Sequence, residues 1–177
     1  MPLEPPAQTP HLILGGAKSG KSAYAEKLVA IHPAPHIYVA TAQAFDEEMI
    51  ARVQTHQKRR IRSWETVECP LELVRTLGEF QGREQAVLVD CLTLWLTNLL
   101  LRTPVQPPEE AVKDLVKCLH VVDYPLFLVS NEVGGGIVPD NALARRFRDL
   151  AGFANQQVAA ACRAMTLVVA GLPLRLK

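Results

Sequence analysis

Between the apolar run His11-Leu12-Ile13-Leu14 and a segment of helical character lies Gly15-Gly16-Ala17-Lys18-Ser19-Gly20-Lys21-Ser22. This is the G-x-x-x-x-G-K-S spacing of a phosphate loop. Its glycines let backbone N–H groups turn inward around phosphate oxygens, in conformations that a Cβ would oppose. The helix that starts there points its positive end at the anion. Lys21 supplies a mobile charge for the β- and γ-phosphates, and Ser22 a hydroxyl for Mg²⁺. Asp90, closing the apolar run 86–89, is the natural second acid, able to hold Mg²⁺ directly or through water. The same residue also suits the N-cap of a helix starting at Leu92, and the two roles are compatible.

A second stretch sets Arg52, His56, Arg60 and Trp64 at successive four-residue steps. On a helix read from Phe45 to about Arg62 they would form one slowly drifting stripe. Flanking guanidinium groups disfavour imidazolium, so His56 keeps a free lone pair. A neutral imidazole between arginines suits nucleophilic attack on a phosphorus whose oxygens those arginines hold. The residues alone leave the plainer reading open: a basic, solvated helix face with an incidental histidine. A third stretch, Ser130-Asn131-Glu132-Val133-Gly134-Gly135-Gly136, leaves a buried strand where α/β proteins place ligands. It reads equally as a flexible connection, with Glu132 a base only if an acceptor hydroxyl lies beside it.

The elements that must position these residues alternate along the chain. Strands are expected at 11–14, 36–41, 86–90, 126–130 and 166–170, with a short addition at 174–176. Helices are expected at 22–31, from Pro70 through Phe80, at 92–102 and 109–121, and as one long amphipathic helix from Leu143 to Cys162. Apolar strands between helices imply an α/β fold: a doubly wound, mostly parallel sheet like that of phosphate-loop NTPases. Residues 11–177 form one domain behind a proline-rich lead-in, 1–10, expected to be disordered and unlike a signal peptide.

With 19 Lys+Arg against 18 Asp+Glu the net charge is +1, which excludes broad nucleic-acid coating or polybasic membrane attachment. The best apolar stretch, 87–101, is too short and too polar to span a bilayer. The four cysteines lack zinc spacing and sit mostly in apolar runs, which suits a reducing, cytoplasmic compartment. A guanine-reading N/T-K-x-D motif, usual in GTP switches, is absent.

Taken in order, LILGGAKSGKS, YVATAQAFDEEMIARVQTHQKRR, SWETVECP, VLVDCLTLWLTNLL, SNEVGGGIVP and LARRFRDLAGFANQQVA resemble one family. It is the bifunctional adenosylcobinamide kinase / adenosylcobinamide-phosphate guanylyltransferase family of cobalamin biosynthesis. The resemblance covers about residues 11–177. It implies that His56 is the nucleophile that becomes guanylylated. It also implies nucleotide contacts from Ala40, Thr41 and Ala42, from Gln57, Lys58, Arg59 and Arg60, and from Glu68 and Asp90. The implied substrates are ATP or GTP with Mg²⁺, adenosylcobinamide and its phosphate, and the implied assembly is a homo-oligomer, a trimer in the family's best-described members. Lys18 stands where the family usually has Arg, and Thr55 where some members have a second His. The alternative that keeps Lys21 and Asp90 but treats His56 as surface is a monofunctional phosphate-loop kinase of another small alcohol.

Overall fold

A computed structural model describes residues 8–42, 63–102 and 106–177. The strands are β1 (His11–Gly15), β2 (His36–Ala40), β3 (Trp64–Glu68), β4 (Val87–Asp90), β5 (Leu126–Asn131), β6 (Ala164–Val169) and β7 (Leu172–Arg175). The helices are α1 (Lys21–Val29), α2 (Leu73–Gly78), α3 (Leu92–Leu101), α4 (Pro108–Val121) and α5 (Ala142–Ala161). One sheet holds all seven strands in the order β3-β2-β4-β5-β1-β6-β7. Every neighbouring pair is parallel except β6 with β7.

The apolar runs explain the layering. Strand side chains alternate faces, so a continuous hydrophobic run must be covered on both. Leu12, Leu14, Ile37, Val39, Val87, Val89, Leu126 and Leu128 pack with α2, α3, α4 and α5. Their neighbours Ile13, Tyr38, Leu88, Phe127 and Val129 pack on the other face with Ala25, Leu28 and Val29 of α1. The sheet is thus sandwiched between helices, as the alternating pattern predicts. Local signals set the helix starts: Asn141 Oδ1 accepts from the backbone N–H of Leu143 and Ala144, and Pro108 opens α4 with Glu109 and Glu110 in its first turn.

Three expectations need correction. Strand β3 is absent from the sequence reading because Glu65, Thr66 and Glu68 are exposed on an edge strand, which leaves no apolar run to see. Trp64 opens that strand, so the i+4 stripe ends before it. Helix α2 begins at Leu73, and Pro70 stands outside it with its carbonyl accepting from Asn98 Nδ2 at 3.0 Å. The helix read at 45–62 lies outside the described residues.

At the opposite edge of the sheet from the phosphate loop, His11 is buried, with Nε2 2.9 Å from Thr166 Oγ1 and Nδ1 unpartnered. Burial, helped by the Arg175 charge, pulls its pKa from 6.5 to about 4; burial also lowers His32 and His36. A histidine whose folded pKa is depressed contributes stability above its unfolded pKa, and that stability is lost as pH falls toward the folded value. Acidification from 6.5 to about 4 should therefore cost on the order of 2–3 kcal/mol through His11. Urea unfolding across that window should show a shallower pH slope for His11→Asn than for the unaltered chain; equal slopes would remove His11 as the cause.

Candidate active site

The parallel register delivers the last residues of several strands to one edge. Ala40 is the Cα partner of Glu68 on one side and of Asp90 on the other, and Gly15 pairs with Asn131. Residues 15, 40, 68, 90 and 131 come from distant parts of the chain, yet they line the carboxyl ends of five adjacent strands. That is where an open parallel sheet leaves room for a ligand.

The phosphate loop is held by its neighbours as well as by its own glycines. Gly20 caps α1 in the left-handed region, φ 95°, and Lys18 has φ 56°. A Cβ on Gly15 would lie 2.6 Å from the Val168 carbonyl oxygen, so only glycine fits beneath the loop. Behind it, the β6–β7 turn at Ala170 and Gly171 has positive φ at both residues and donates the Gly171 N–H to Ser19 O at 2.8 Å. Lys21 Nζ reaches over the loop to Gly16 O at 3.1 Å. Burial lowers the Lys21 pKa, opposed by Cys91 and Asp90. The Cys91 thiol is itself pushed up to about 11 by burial and by Asp90, so it is neutral at physiological pH and Asp90 supplies the negative charge near Lys21.

Asp90 does not cap α3; the cap position is Cys91, which makes no side-chain capping bond. Its carboxylate instead accepts from the Tyr38 hydroxyl at 3.1 Å. Alternation places Asp90 on the same sheet face as Leu88 and Tyr38, the face covered by α1. Lysine and acid therefore share one side of the sheet edge.

Thr41 is fully buried and acts as a clasp. Its hydroxyl donates to Cys91 O at 2.7 Å and accepts from Cys91 N at 2.8 Å. Asn98 Nδ2 then ties the Thr41 carbonyl (2.8 Å) to that of Pro70 (3.0 Å). The ends of β2, β3 and β4 are thereby fixed to α3. A second buried network holds β5: Ser130 Oγ donates to Asn155 Oδ1 at 2.7 Å, Asn155 Nδ2 to Asn131 O at 3.1 Å, and Asn131 N to Thr93 Oγ1 at 2.8 Å.

The structure thus brings together Gly15, Gly16, Ala17, Lys18, Ser19, Gly20, Lys21 and Ser22 with Ala40, Thr41, Ala42, Glu68 and Asp90. His56, Gln57, Lys58, Arg59 and Arg60 lie outside the described residues. Sequence reasoning missed Asn98, Thr93 and Asn155. Their signal was a polar residue on an otherwise apolar helix face, where an unpaired group would be costly.

The family described as cobinamide kinase / cobinamide phosphate guanyltransferase matches residues 11–176. The chain is 48% identical over 166 residues to the Pseudomonas aeruginosa bifunctional adenosylcobalamin biosynthesis protein CobP, covering 94% of this chain and 96% of that protein. It is 40% identical over 179 residues to the Salmonella typhimurium bifunctional adenosylcobalamin biosynthesis protein CobU, covering 94% and 98%. Among solved structures, a Pyrococcus horikoshii protein aligns with TM-score 0.59 and 8% identity, over 94% of this chain and 85% of that one. An ATPase of a type III secretion system aligns with TM-score 0.52 and 11% identity, over 93% and 56%. These two likenesses concern the fold alone.

The clasp at Thr41 is testable. Thr41→Val keeps the shape but leaves the buried Cys91 N–H unpaired, which should cost about 1–3 kcal/mol. The unfolding free energy from urea titration should fall by that amount, lowering the midpoint at unchanged slope, and nucleotide affinity should weaken with it, because Asp90 adjoins Cys91. An unchanged midpoint would show that the clasp carries no weight.

Proposed function

The chain belongs to the cobinamide kinase / cobinamide phosphate guanyltransferase family, and we propose that both transfers start from a nucleotide gripped at the strand edge just described. The observation that carries this is a phosphate loop in its strand–loop–helix setting, with Lys21 beside Asp90, inside a chain 48% identical to a bifunctional relative. The family match over nearly the whole chain favours this reading over a monofunctional kinase of another alcohol.

In the first transfer, the hydroxyl of the aminopropanol arm of adenosylcobinamide bonds to the γ-phosphorus of ATP or GTP. The bond to the β,γ-bridging oxygen breaks, the nucleoside diphosphate leaves, and the hydroxyl proton passes to a phosphoryl oxygen and on to water. The loop N–H groups and Lys21 hold the polyphosphate and neutralise its charge. In the second, a nitrogen of His56 bonds to the α-phosphorus of GTP as pyrophosphate leaves. An oxygen of adenosylcobinamide phosphate then takes the GMP, the P–N bond breaks, and His56 is released. A covalent nucleophile splits one nucleotidyl transfer into two displacements. Arg60 and its neighbours 57–59, with Ala40, Thr41, Ala42 and Glu68, complete the nucleotide contacts in this reading.

Ser22 and Asp90 would hold Mg²⁺; a hydroxyl and a carboxylate are hard oxygen donors, and nucleotide phosphates supply the rest of such a shell. When bound, the ion would neutralise charge on the polyphosphate. No helix among the described residues is long and apolar enough to cross a membrane. A cytoplasmic homo-oligomer, a trimer in its family's manner, is part of the proposal.

Incubation with GTP labelled at the α-phosphorus tests this directly. The unaltered chain should acquire an acid-labile, base-stable adduct, and His56→Ala should carry none while keeping at least part of its kinase activity. Lys21→Ala should lose most of the kinase step. A labelled His56→Ala protein would assign the nucleophile elsewhere, and a Lys21→Ala enzyme with normal phosphorylation would displace the nucleotide site.

A further inference from the structure

Strand β5 lies between the strand that leads into the phosphate loop and β4, the strand that ends in Asp90. Its last residue is Asn131, the Cα partner of Gly15. Along β5, Phe127 and Val129 project into the layer under α1, while Ser130 bonds to Asn155 on the other side. Alternation puts the Asn131 side chain on the α1 face, the face of Asp90 and one pleat beyond the Val129–Asp90 pair.

The main chain here is held from several directions. Asn131 N donates to Thr93 Oγ1, Asn131 O accepts from Asn155, and the next N–H, of Glu132, donates to Gly15 O at 3.2 Å. The side chain differs. Among the described residues its buried Oδ1 has no hydrogen-bond partner, and the hydrogen bonds that fix this strand end use its main chain and leave Nδ2 out. The two asparagines buried as whole residues at this edge behave differently. Asn98 spends its amide on two carbonyls, and Asn155 uses both ends of its own. The unpaired Oδ1 costs stability, so the neighbouring contacts do not explain this side chain, while the backbone fixed on either side holds its Nδ2 donor in place at the partly open strand end.

The ligand's chemistry follows from the place. Gly15 begins the loop that cradles the β-phosphate, and Asp90 is the acid on the same face, so a group between their strands meets the terminal phosphoryl group. A neutral amide donor suits an oxygen of that group, whose charge must be stabilised as it leaves the nucleotide. We infer that Asn131 is a further catalytic residue of the kinase step, its side-chain amide donating to the transferring γ-phosphoryl group. The inference rests on the nucleotide-site reading above.

The test compares the unaltered enzyme with Asn131→Ala and Asn131→Asp. Affinities for GDP and for the β,γ-imido analogue of GTP are measured, with steady-state phosphorylation of adenosylcobinamide and the thermal midpoint. Asn131→Ala should lower kcat for phosphorylation by roughly 10- to 1000-fold, and leave GDP affinity and the thermal midpoint near those of the unaltered enzyme. Asn131→Asp, which places an anion beside the γ-phosphate, should weaken the imido analogue further while sparing GDP. GMP attachment to the protein, which attacks the α-phosphorus, should fall much less than phosphorylation in both. An unchanged kcat in either variant overturns the inference. So does a parallel fall in GDP affinity, thermal midpoint and kcat, since that marks a scaffold residue. Failure of the underlying reading shows separately, as an unaltered enzyme that neither binds GTP nor phosphorylates the corrinoid.

Discussion

The parallel register of the sheet is the constraint on which the rest of the site depends. A parallel sheet sends every strand's carboxyl end to the same edge, and here that edge collects Gly15, Ala40, Glu68, Asp90 and Asn131. None of these residues is near another in sequence. Shifting one strand by a single residue would turn its last side chain to the other face. Asp90 would then leave the side shared with Lys21, and Asn131 would exchange places with Ser130. The deep burial of β1, β4 and β5 on both faces forbids such a slip, since it would push apolar side chains out of one helical layer and into the other.

Register alone does not hold the edge, because strand ends fray and the loops beyond them lack ladder partners. Buried polar residues from the helices take over. Thr41 and Asn98 bind the ends of β2, β3 and β4 to α3, while Thr93 and Asn155 bind β5 to α3 and α5. Both networks draw on α3, a helix of otherwise apolar composition. That helix is therefore the common brace for the acid-bearing strand and for the strand beside the phosphate loop. The loop itself leans on the Gly171 turn, so the antiparallel β6–β7 hairpin has a positional role although β7 is exposed.

What was legible in the sequence follows from what leaves a local signal. The phosphate loop is legible because its glycines and Lys21 act through backbone conformation and charge within eight residues. The buried strands are legible as unbroken apolar runs, and α5 by its three-and-four spacing. Strand β3 is not, because most of its residues face solvent and its pairing partner β2 is distant in sequence. Asn98 and Asn155 were visible only as polar interruptions, since their partners come from other elements. Asn131 was singled out as part of a polar strand end, but its unpaired Oδ1 between two functional strands is a property of the fold. His56 and Arg60 took their expected roles from the family resemblance, and they lie outside the described residues.

A single grip on the nucleotide is physically compatible with two different transfers. A phosphate loop binds the polyphosphate mainly through backbone N–H groups around its middle, and this contact is indifferent to which flanking phosphorus is attacked. The outcome then depends on what is placed at each end. In the proposed mechanism the γ-phosphate meets the edge between β1 and β4, with Lys21, Asp90 and Asn131, and an acceptor hydroxyl arriving there would take the terminal phosphoryl group. At the α-phosphate the proposed mechanism places an enzyme nucleophile first, and the acceptor there is already a phosphate. Its charge repels the polyphosphate, and direct attack would bring two anions together. A neutral imidazole meets no such repulsion, and once pyrophosphate has left, the second anion faces a single phosphoryl group. The chemical difference between an alcohol acceptor and a phosphate acceptor is thus consistent with the proposal of a covalent histidine in one transfer and none in the other.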